Sequence, residues 1–365
     1  MSKMSVHLVT WNGAKYVPYL FESLRNQTFK DWELLVIDND SKDATVELIK
    51  KELENFVIPF RVVQNQKNIG FAPGHNQAVQ LTNAPYFQLL NQDMYLAPDY
   101  FEKVVAMMDA RSDAGAGQGL LLRWDFGKQD RTNIVDTMGL KVFRSRRVVD
   151  WCTGQLTNQL IDQLTNQQTI EVFGVSGALP IYRRKAVEQV MFPAKGGSAS
   201  GGEGQMFDED FFMYKEDVDL AFRLRAQGWK AFVVPTAKAW HDRTAAGPRD
   251  LSDRSILKNR KTKSAFINYH SYKNHLMILL KNEHCVNLSK DWLWIFWYEF
   301  RKLVFLLLTD WKTLKGISEV WHLWPRLIQK RKQIMNNYKV RPEEIRKWFI
   351  DSRMPESSRI FPNNS

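Results

Sequence analysis

Three short stretches carry residues that could do chemistry. The first is Asn91-Gln92-Asp93, where the apolar run Tyr86-Phe87-Gln88-Leu89-Leu90 ends abruptly in polar residues. An aspartate there serves as a turn residue or helix cap ahead of Pro98-Asp99-Tyr100. Alternatively it is a ligand for a hard divalent ion, since Mg2+ or Mn2+ is commonly held by one or two carboxylates plus substrate phosphates. The second is Glu216-Asp217-Val218-Asp219, directly after the aromatic run Phe211-Phe212-Met213-Tyr214. The macrodipole favours acids in the first turn of a helix. A carboxylate partly buried by those rings would also have its pKa raised toward the range of a general base. The third is His241, which is either a structural histidine or a second metal ligand beside Asp93.

The elements that position these groups can be read from periodicity. Residues 6–11 and 32–37 are β-rich and apolar, a third strand lies around residues 60–63, and residues 87–90 form a fourth. Helical spacing separates them at 17–27, with Val17, Leu20, Phe21 and Leu24 on one face, and again at 44–53. Strands alternating with helices of this length predict right-handed βαβ units and a parallel sheet. Ligands of such sheets bind beyond the carboxyl ends of the strands. Thr10-Trp11-Asn12, Asp38-Asn39-Asp40, Asn68-Ile69-Gly70 and Asn91-Gln92-Asp93 all fall at such ends, so they should converge on one edge. Gly70 and Gly74 would let the backbone approach a diphosphate closely. Neither G-x-G-x-x-G nor G-x-x-x-x-G-K-[ST] is present, which removes support for dinucleotide and P-loop binding. Further on, residues 172–176 and 231–234 read as strands, with a helix from Glu216 that Gly228 ends.

Composition sets the remaining bounds. The chain has 365 residues, 44% of them hydrophobic, enough to bury a large core. Its net charge of +11 is uneven, with 22 Lys/Arg against 10 Asp/Glu from residue 251 onward and near neutrality before it. A near-neutral body with a cationic appendage suggests an anionic partner. Two cysteines, Cys152 and Cys285, and the polar start MSKMS predict a cytoplasmic protein without disulfides. The segment 292–308 is apolar except for Glu299, Arg301 and Lys302. Those mid-segment charges argue against a membrane span and for a helix lying at a bilayer interface or packed on the body.

The ordered segments VHLVTWNG, LLVIDNDSKD, NIGFAPGHNQAV, LLNQDM, GVSGALPIYRR, FDEDFFMYKEDVDLAFR and WH resemble the inverting glycosyltransferases of family 2. Within that family they are most similar to the rhamnosyltransferase-like enzymes of bacterial surface-polysaccharide synthesis. The resemblance covers roughly residues 4–275 and includes NYHSYKNHLMILLKN. It implies an α/β GT-A (Rossmann-like) fold, a mixed and mostly parallel sheet flanked by helices. The catalytic domain would span 1–250, with a nucleotide-binding half of about 1–100 and an acceptor-binding half of about 101–250. Residues 251–365 would form a helical, basic, aromatic-rich region, possible membrane contact included.

The same resemblance assigns roles. Asn91-Gln92-Asp93 stands where the family has its DxD-type motif, with Asn in place of the first acid, so Asp93 carries the metal contact. His241 completes a site for Mg2+ or Mn2+. Asp38 matches the acid that contacts the nucleobase, with Thr10 and Asp40 close by. Asn12, Asn68, Gly70, Asn76 and Gln92 are the further nucleotide-sugar-binding candidates on that edge. Asp217, in Glu216-Asp217, matches the catalytic base. The implied reaction is transfer of a single sugar, best read as rhamnose from dTDP-rhamnose and alternatively a sugar from a UDP donor. The acceptor would be a saccharide or a polyprenyl-diphosphate-linked saccharide at the anionic inner face of the cell membrane.

Some features depart from the pattern. His75 stands where relatives often have Asn, the loop GGSASGGEG looks long, and the Q-x-x-R-W motif of processive synthases is absent. A competing reading takes the basic runs 258–263 and 330–332 as nucleic-acid contacts. No binding motif accompanies them, and charge runs are usually solvated faces, so no nucleic-acid partner is expected. A catalytically dead sugar-nucleotide sensor is disfavoured by the retention of Asp93, Asp217 and His241 together.

Overall fold

The computed structural model describes residues 1–158, 168–194, 204–243 and 264–352; the loop residues 196–203 and the basic run 258–263 lie outside them. β1 (Met4–Thr10) is buried along nearly its whole length, as a strand covered on both faces must be. β2 (Trp32–Asp38) pairs parallel with one side of β1, and β3 (Phe60–Gln64) extends the sheet as a partly exposed edge. β4 (Tyr86–Asn91) takes the other side of β1, again parallel. The crossovers are α1 (Val17–Arg25), α2 (Thr45–Leu53) and α3 (Phe71–Gln80). In α1 the proline near the first turn fixes φ, and Val17, Leu20, Phe21 and Leu24 form the buried stripe.

Past β4 come β5 (Met94–Leu96), α4 (Tyr100–Ala110), β6 (Ala114–Asp125), β7 (Asp130–Thr137), β8 (Leu140–Phe143), β9 (Val148–Asp150) and β10 (Ile170–Val172). β11 (Ile181–Arg183), α5 (Arg184–Glu188), the short pair β12 (Phe192–Pro193) and β13 (Gly204–Gln205), α6 (Glu216–Ala226) and β14 (Lys230–His241) follow. The main sheet runs β10-β14-β6-β11-β4-β1-β2-β3, with β5 paired to β14 and β7 to β6. β11 is antiparallel to both its neighbours, so the sheet is mixed.

Two segments differ from their sequence reading. Of residues 172–176 only Val172 pairs in the sheet; the Phe173 carbonyl accepts from Arg225 Nε (3.0 Å) and the Gly174 carbonyl from Leu140 N (2.9 Å). Residue 231–234 is the start of a strand three times as long, because a register shift between Val234 and Lys238 absorbs Pro235 and lets pairing resume up to His241.

The C-terminal helices α7 (Ala265–Asn282), α8 (Cys285–Thr309), α9 (Lys315–Asn336) and α10 (Pro342–Arg346), with β15 (Phe349–Ile350), share a core with the sheet body. Phe173, Phe211, Val218 and Phe222 pack with Met277, Ile278, Val320, Leu327, Ile345 and Phe349. A buried ionic network crosses the same boundary. Lys281 Nζ contacts Asp208 and Asp219 (3.0 Å to the latter), Arg223 pairs with Asp219 at 3.0 Å, and Lys330 reaches Asp208 (2.5 Å) and Asp210 (2.7 Å). Such groups can stay buried only because each charge meets an opposite one. Lys330 and Arg331, read as part of a solvated basic run, are held inside the chain, Arg331 through the Leu280 carbonyl at 3.0 Å.

Candidate active site

Parallel register sets Thr10 beside Asp38, and Val9 beside Asn91, so the ends of β1, β2 and β4 form one polar edge. Gln92 binds the β1 end: its Oε1 accepts from Thr10 Oγ1 (2.6 Å) and Trp11 N (2.9 Å), and its Nε2 donates to Trp11 O (3.2 Å). The buried Asp38 carboxylate accepts from Ser41 Oγ (2.5 Å) and Ser41 N (3.1 Å). Asn12, at φ +48°, accepts from Lys42 N at 2.8 Å, and Asp40, at φ +64°, pairs with Lys42 Nζ at 2.5 Å. Thr10, Asn12, Asp38, Asp40 and Gln92 are thus brought together.

Three candidates are differently engaged. Asn68 Oδ1 accepts from Gly70 N at 2.9 Å in an Asx-type turn. Gly70 has φ +96°, and a Cβ there would lie 2.8 Å from the Phe212 ring. A Cβ on Gly74 would meet Val9 at 3.0 Å, so both glycines are also needed for packing against the protein. Asn76 is buried, with Nδ2 donating to Phe207 O (2.8 Å) and Oδ1 accepting from Phe207 N (2.9 Å), which fastens α3 to residues 205–209. His75 is fully buried against Phe71 and Phe207, and burial pushes its pKa down to about 3.

Asp93 and His241 meet. β14 pairs with β5 so that His241 lies opposite Met94, which brings His241 Nε2 to 3.3 Å from Asp93 Oδ1. On the ring's other side, Nδ1 is 3.0 Å from Asp136 Oδ2. Asp136 was not read from the sequence; a carboxylate in the buried part of β7 was the available signal. Burial would lower the imidazole pKa, yet Asp93 and Asp136 outweigh it and hold it up to about 10. Near neutral pH the ring therefore carries a proton on each nitrogen, Nδ1–H toward Asp136 and Nε2–H toward Asp93, and a cation bound at Nε2 would replace the second of these protons. One carboxylate plus one imidazole backed by a second carboxylate is a donor set that fits a divalent ion. Among the described residues no group of three or more His, Cys, Asp or Glu side chains gathers as a full protein cage.

The acid cluster of α6 divides by face. Asp219 points into the network of Lys281 and Arg223. Glu216 is buried, its Oε2 has no hydrogen-bond partner, and desolvation together with the Asp217 charge raises its pKa to about 8. Asp217 is half-buried, accepts from Gly177 N (2.9 Å) and from its neighbour Val218 N (2.8 Å), and is raised mainly by desolvation. Gly177 leads into Ala178, whose carbonyl accepts from Asn91 N at 3.1 Å. Asp217 and the strand end that leads to Asp93 are therefore joined through two consecutive residues. Arg243 lies between them electrostatically: it pairs with Asp150 (2.7 Å) and Asp136 (3.5 Å) and feels Asp217. The sequence reading stopped at His241 and missed Arg243 two residues on.

With this geometry in hand, the relatives are informative. A rhamnosyltransferase of Mycobacterium tuberculosis, named N-acetylglucosaminyl-diphospho-decaprenol L-rhamnosyltransferase, is 24% identical over 282 residues, covering 73% of this chain and 85% of that one. An uncharacterized glycosyltransferase of Methanocaldococcus jannaschii is 27% identical over 133 residues, covering 36% of this chain and 44% of the relative. A chondroitin synthase of Escherichia coli is 32% identical over 99 residues, covering 27% of this chain and 14% of the relative. Among solved structures, the crystal structure of GalNAc-T7 with UDP, GalNAc and Mn2+ aligns with a TM-score of 0.55 at 13% identity, covering 77% of this chain and 49% of that one. That likeness establishes the GT-A fold. The model of the family described as Glycosyl transferase family 2 matches residues 5–191, more than half of the chain. The chain belongs to glycosyl transferase family 2, and it spans less than half the length of several of the curated relatives it matches.

Proposed function

We propose that this glycosyltransferase adds a single sugar from a nucleotide-sugar donor with inversion, in surface-polysaccharide synthesis. The observation that carries the reading is the arrangement around Asn91: Asp93 and His241 face each other at 3.3 Å on one side, and Asp217 is bound to Gly177 on the other. Asp38, Asp40, Thr10, Asn12 and Gln92 line the edge where a nucleotide would lie, and the donor's diphosphate would extend from there to Asp93. A divalent ion held by Asp93 and His241 would offset the charge that develops on the departing diphosphate. Asp217 takes the proton from the acceptor hydroxyl as that oxygen attacks the anomeric carbon opposite the leaving group. The carbon–oxygen bond to the diphosphate breaks as the new glycosidic bond forms, and the configuration inverts.

Rhamnose from dTDP-rhamnose is the preferred donor reading, because the relative from Mycobacterium tuberculosis that matches 73% of this chain is named for L-rhamnosyl transfer. The same name supports an acceptor saccharide linked to a polyprenyl diphosphate, and the proposal includes a reaction at the inner face of the cell membrane. No helix among the described residues is long and apolar enough to cross a membrane. The test is incubation with dTDP-rhamnose and, separately, UDP-sugars, with Mg2+ or Mn2+ and a lipid-linked N-acetylglucosamine acceptor. A rhamnosylated product of inverted configuration supports the proposal. Transfer from a UDP-sugar alone replaces the donor, and no transfer from any nucleotide sugar refutes the reading.

A further inference from the structure

α8 has two unlike faces. Its inner face is fixed to the body: Asp291 accepts from Arg144 (2.9 Å), Arg146 (3.1 Å) and Arg346 (2.8 Å), and Ile295 and Leu306 are buried. The outer face is apolar and bare. Trp292, Leu293, Phe296, Trp297, Phe300 and Leu307 are each 46–59% exposed. At about 100° per residue these positions fall within one arc of about 140°, and no charged residue between 292 and 308 falls inside it. The stripe is about 24 Å long at 1.5 Å per residue. Monomers rarely expose a contiguous apolar patch above a few hundred Å2, and six such side chains on one face exceed that scale. Trp311, Trp321 and Trp324 add 64%, 74% and 41% exposed indoles just beyond.

The exposed charges around the stripe are mostly positive. Between residues 285 and 336 the exposed ionic side chains are Lys290, Arg301, Lys312, Lys315, Arg326 and Lys332 against the acid Glu319, with Lys290 paired to Glu343 at 2.8 Å and Arg326 to Asp210 at 3.6 Å. A second copy of this chain on the stripe would bring those cations against each other. A surface that is anionic outside and apolar beneath satisfies both features.

We infer that the outer face of α8 docks the protein on an anionic phospholipid bilayer, with the helix parallel to the surface and its Trp and Phe rings at headgroup depth. The inner face of the same helix carries Glu299, which binds His275 at 2.6 Å, and Lys302, which lies over the rings of Tyr272 and Tyr298. Asn274 of α7 in turn donates to the carbonyls of Phe211, Met213 and Tyr214, immediately before Asp217. Docking in this orientation puts the bilayer one helix away from the Asp217 loop. A lipid-linked acceptor could present its sugar there while its tail stays in the membrane; that clause alone rests on the proposed function.

The test is co-sedimentation of the full chain with phosphatidylcholine vesicles, with and without about 30% phosphatidylglycerol, at low and high salt. A Trp297→Ser/Phe300→Ser variant is run in parallel, with its folding checked by thermal unfolding and its nucleotide binding measured without vesicles. The expected result is binding to the anionic vesicles only, weakened by salt, and at least tenfold weaker in the variant, with nucleotide binding unchanged. Equal binding by variant and parent, or none by the parent, overturns the inference. So does gel filtration showing a dimer in the parent and a monomer in the variant, which would assign the stripe to a second copy. Membrane binding without nucleotide binding would retain the docking face and reject the transferase chemistry.

Discussion

Glu216→Gln should make the protein more stable at alkaline pH. The carboxyl is 6% exposed, its Oε2 has no hydrogen-bond partner, and it adjoins the Asp217 carboxylate. Its folded pKa of about 8 stands above the ordinary 4.5. An acid raised on folding keeps its proton in the folded protein while the unfolded chain releases it. Stability is therefore complete below about pH 4.5, falls as pH rises, and levels off above about 8. The interval corresponds to at most about 5 kcal/mol at about 1.36 kcal/mol per unit. Glutamine copies the neutral carboxyl and does not titrate, so the variant should match the parent at pH 5 and exceed it by about 2–4 kcal/mol at pH 8.5. Urea denaturation at pH 5, 7 and 8.5 measures this directly. Identical pH slopes for parent and variant would refute the argument and show that Glu216 is ionised in the folded state.

Asp217→Asn should lower kcat by about 10^2–10^4, the range of a general base, while a nucleotide-binding isotherm stays unchanged. Lys281→Met leaves Asp208 and Asp219 with one fewer buried cation each and should cost about 3–5 kcal/mol in urea denaturation. Gly70→Ala combines φ +96° with a Cβ 2.8 Å from the Phe212 ring, and should cost about 1–3 kcal/mol by the same assay.

The parallel half of the sheet was legible because β1, β2 and β4 are mostly apolar, buried along nearly their whole length, and end in polar residues. Asp93, His241 and Asp217 could be named because each stands at such an end or at a helix start. Their supports could not. Asp136 holds His241 from 105 positions away, and Gly177 holds Asp217 from 40 away, through a loop that no short-range pattern marks. The strands β6 to β9 also escaped, since AGAGQG is poor in β-branched residues and depends on tertiary partners for its extended form. Asn76, a polar residue on a glycine-rich helix, reads as a ligand contact in the sequence, and here its amide bonds the Phe207 backbone, a tertiary contact 131 positions away that no local pattern marks.

The central claim is that Asp93 joins a divalent ion to the donor's diphosphate. The most direct test is thermal unfolding with dTDP, UDP and GDP, each with and without Mg2+ or Mn2+, for the parent, Asp93→Ala and Asp217→Asn. At a hundredfold excess over Kd the cognate nucleotide should add about 2.7 kcal/mol, only with metal present, in the parent and Asp217→Asn but not in Asp93→Ala. Stabilisation that survives without metal, or that persists in Asp93→Ala, would contradict the account.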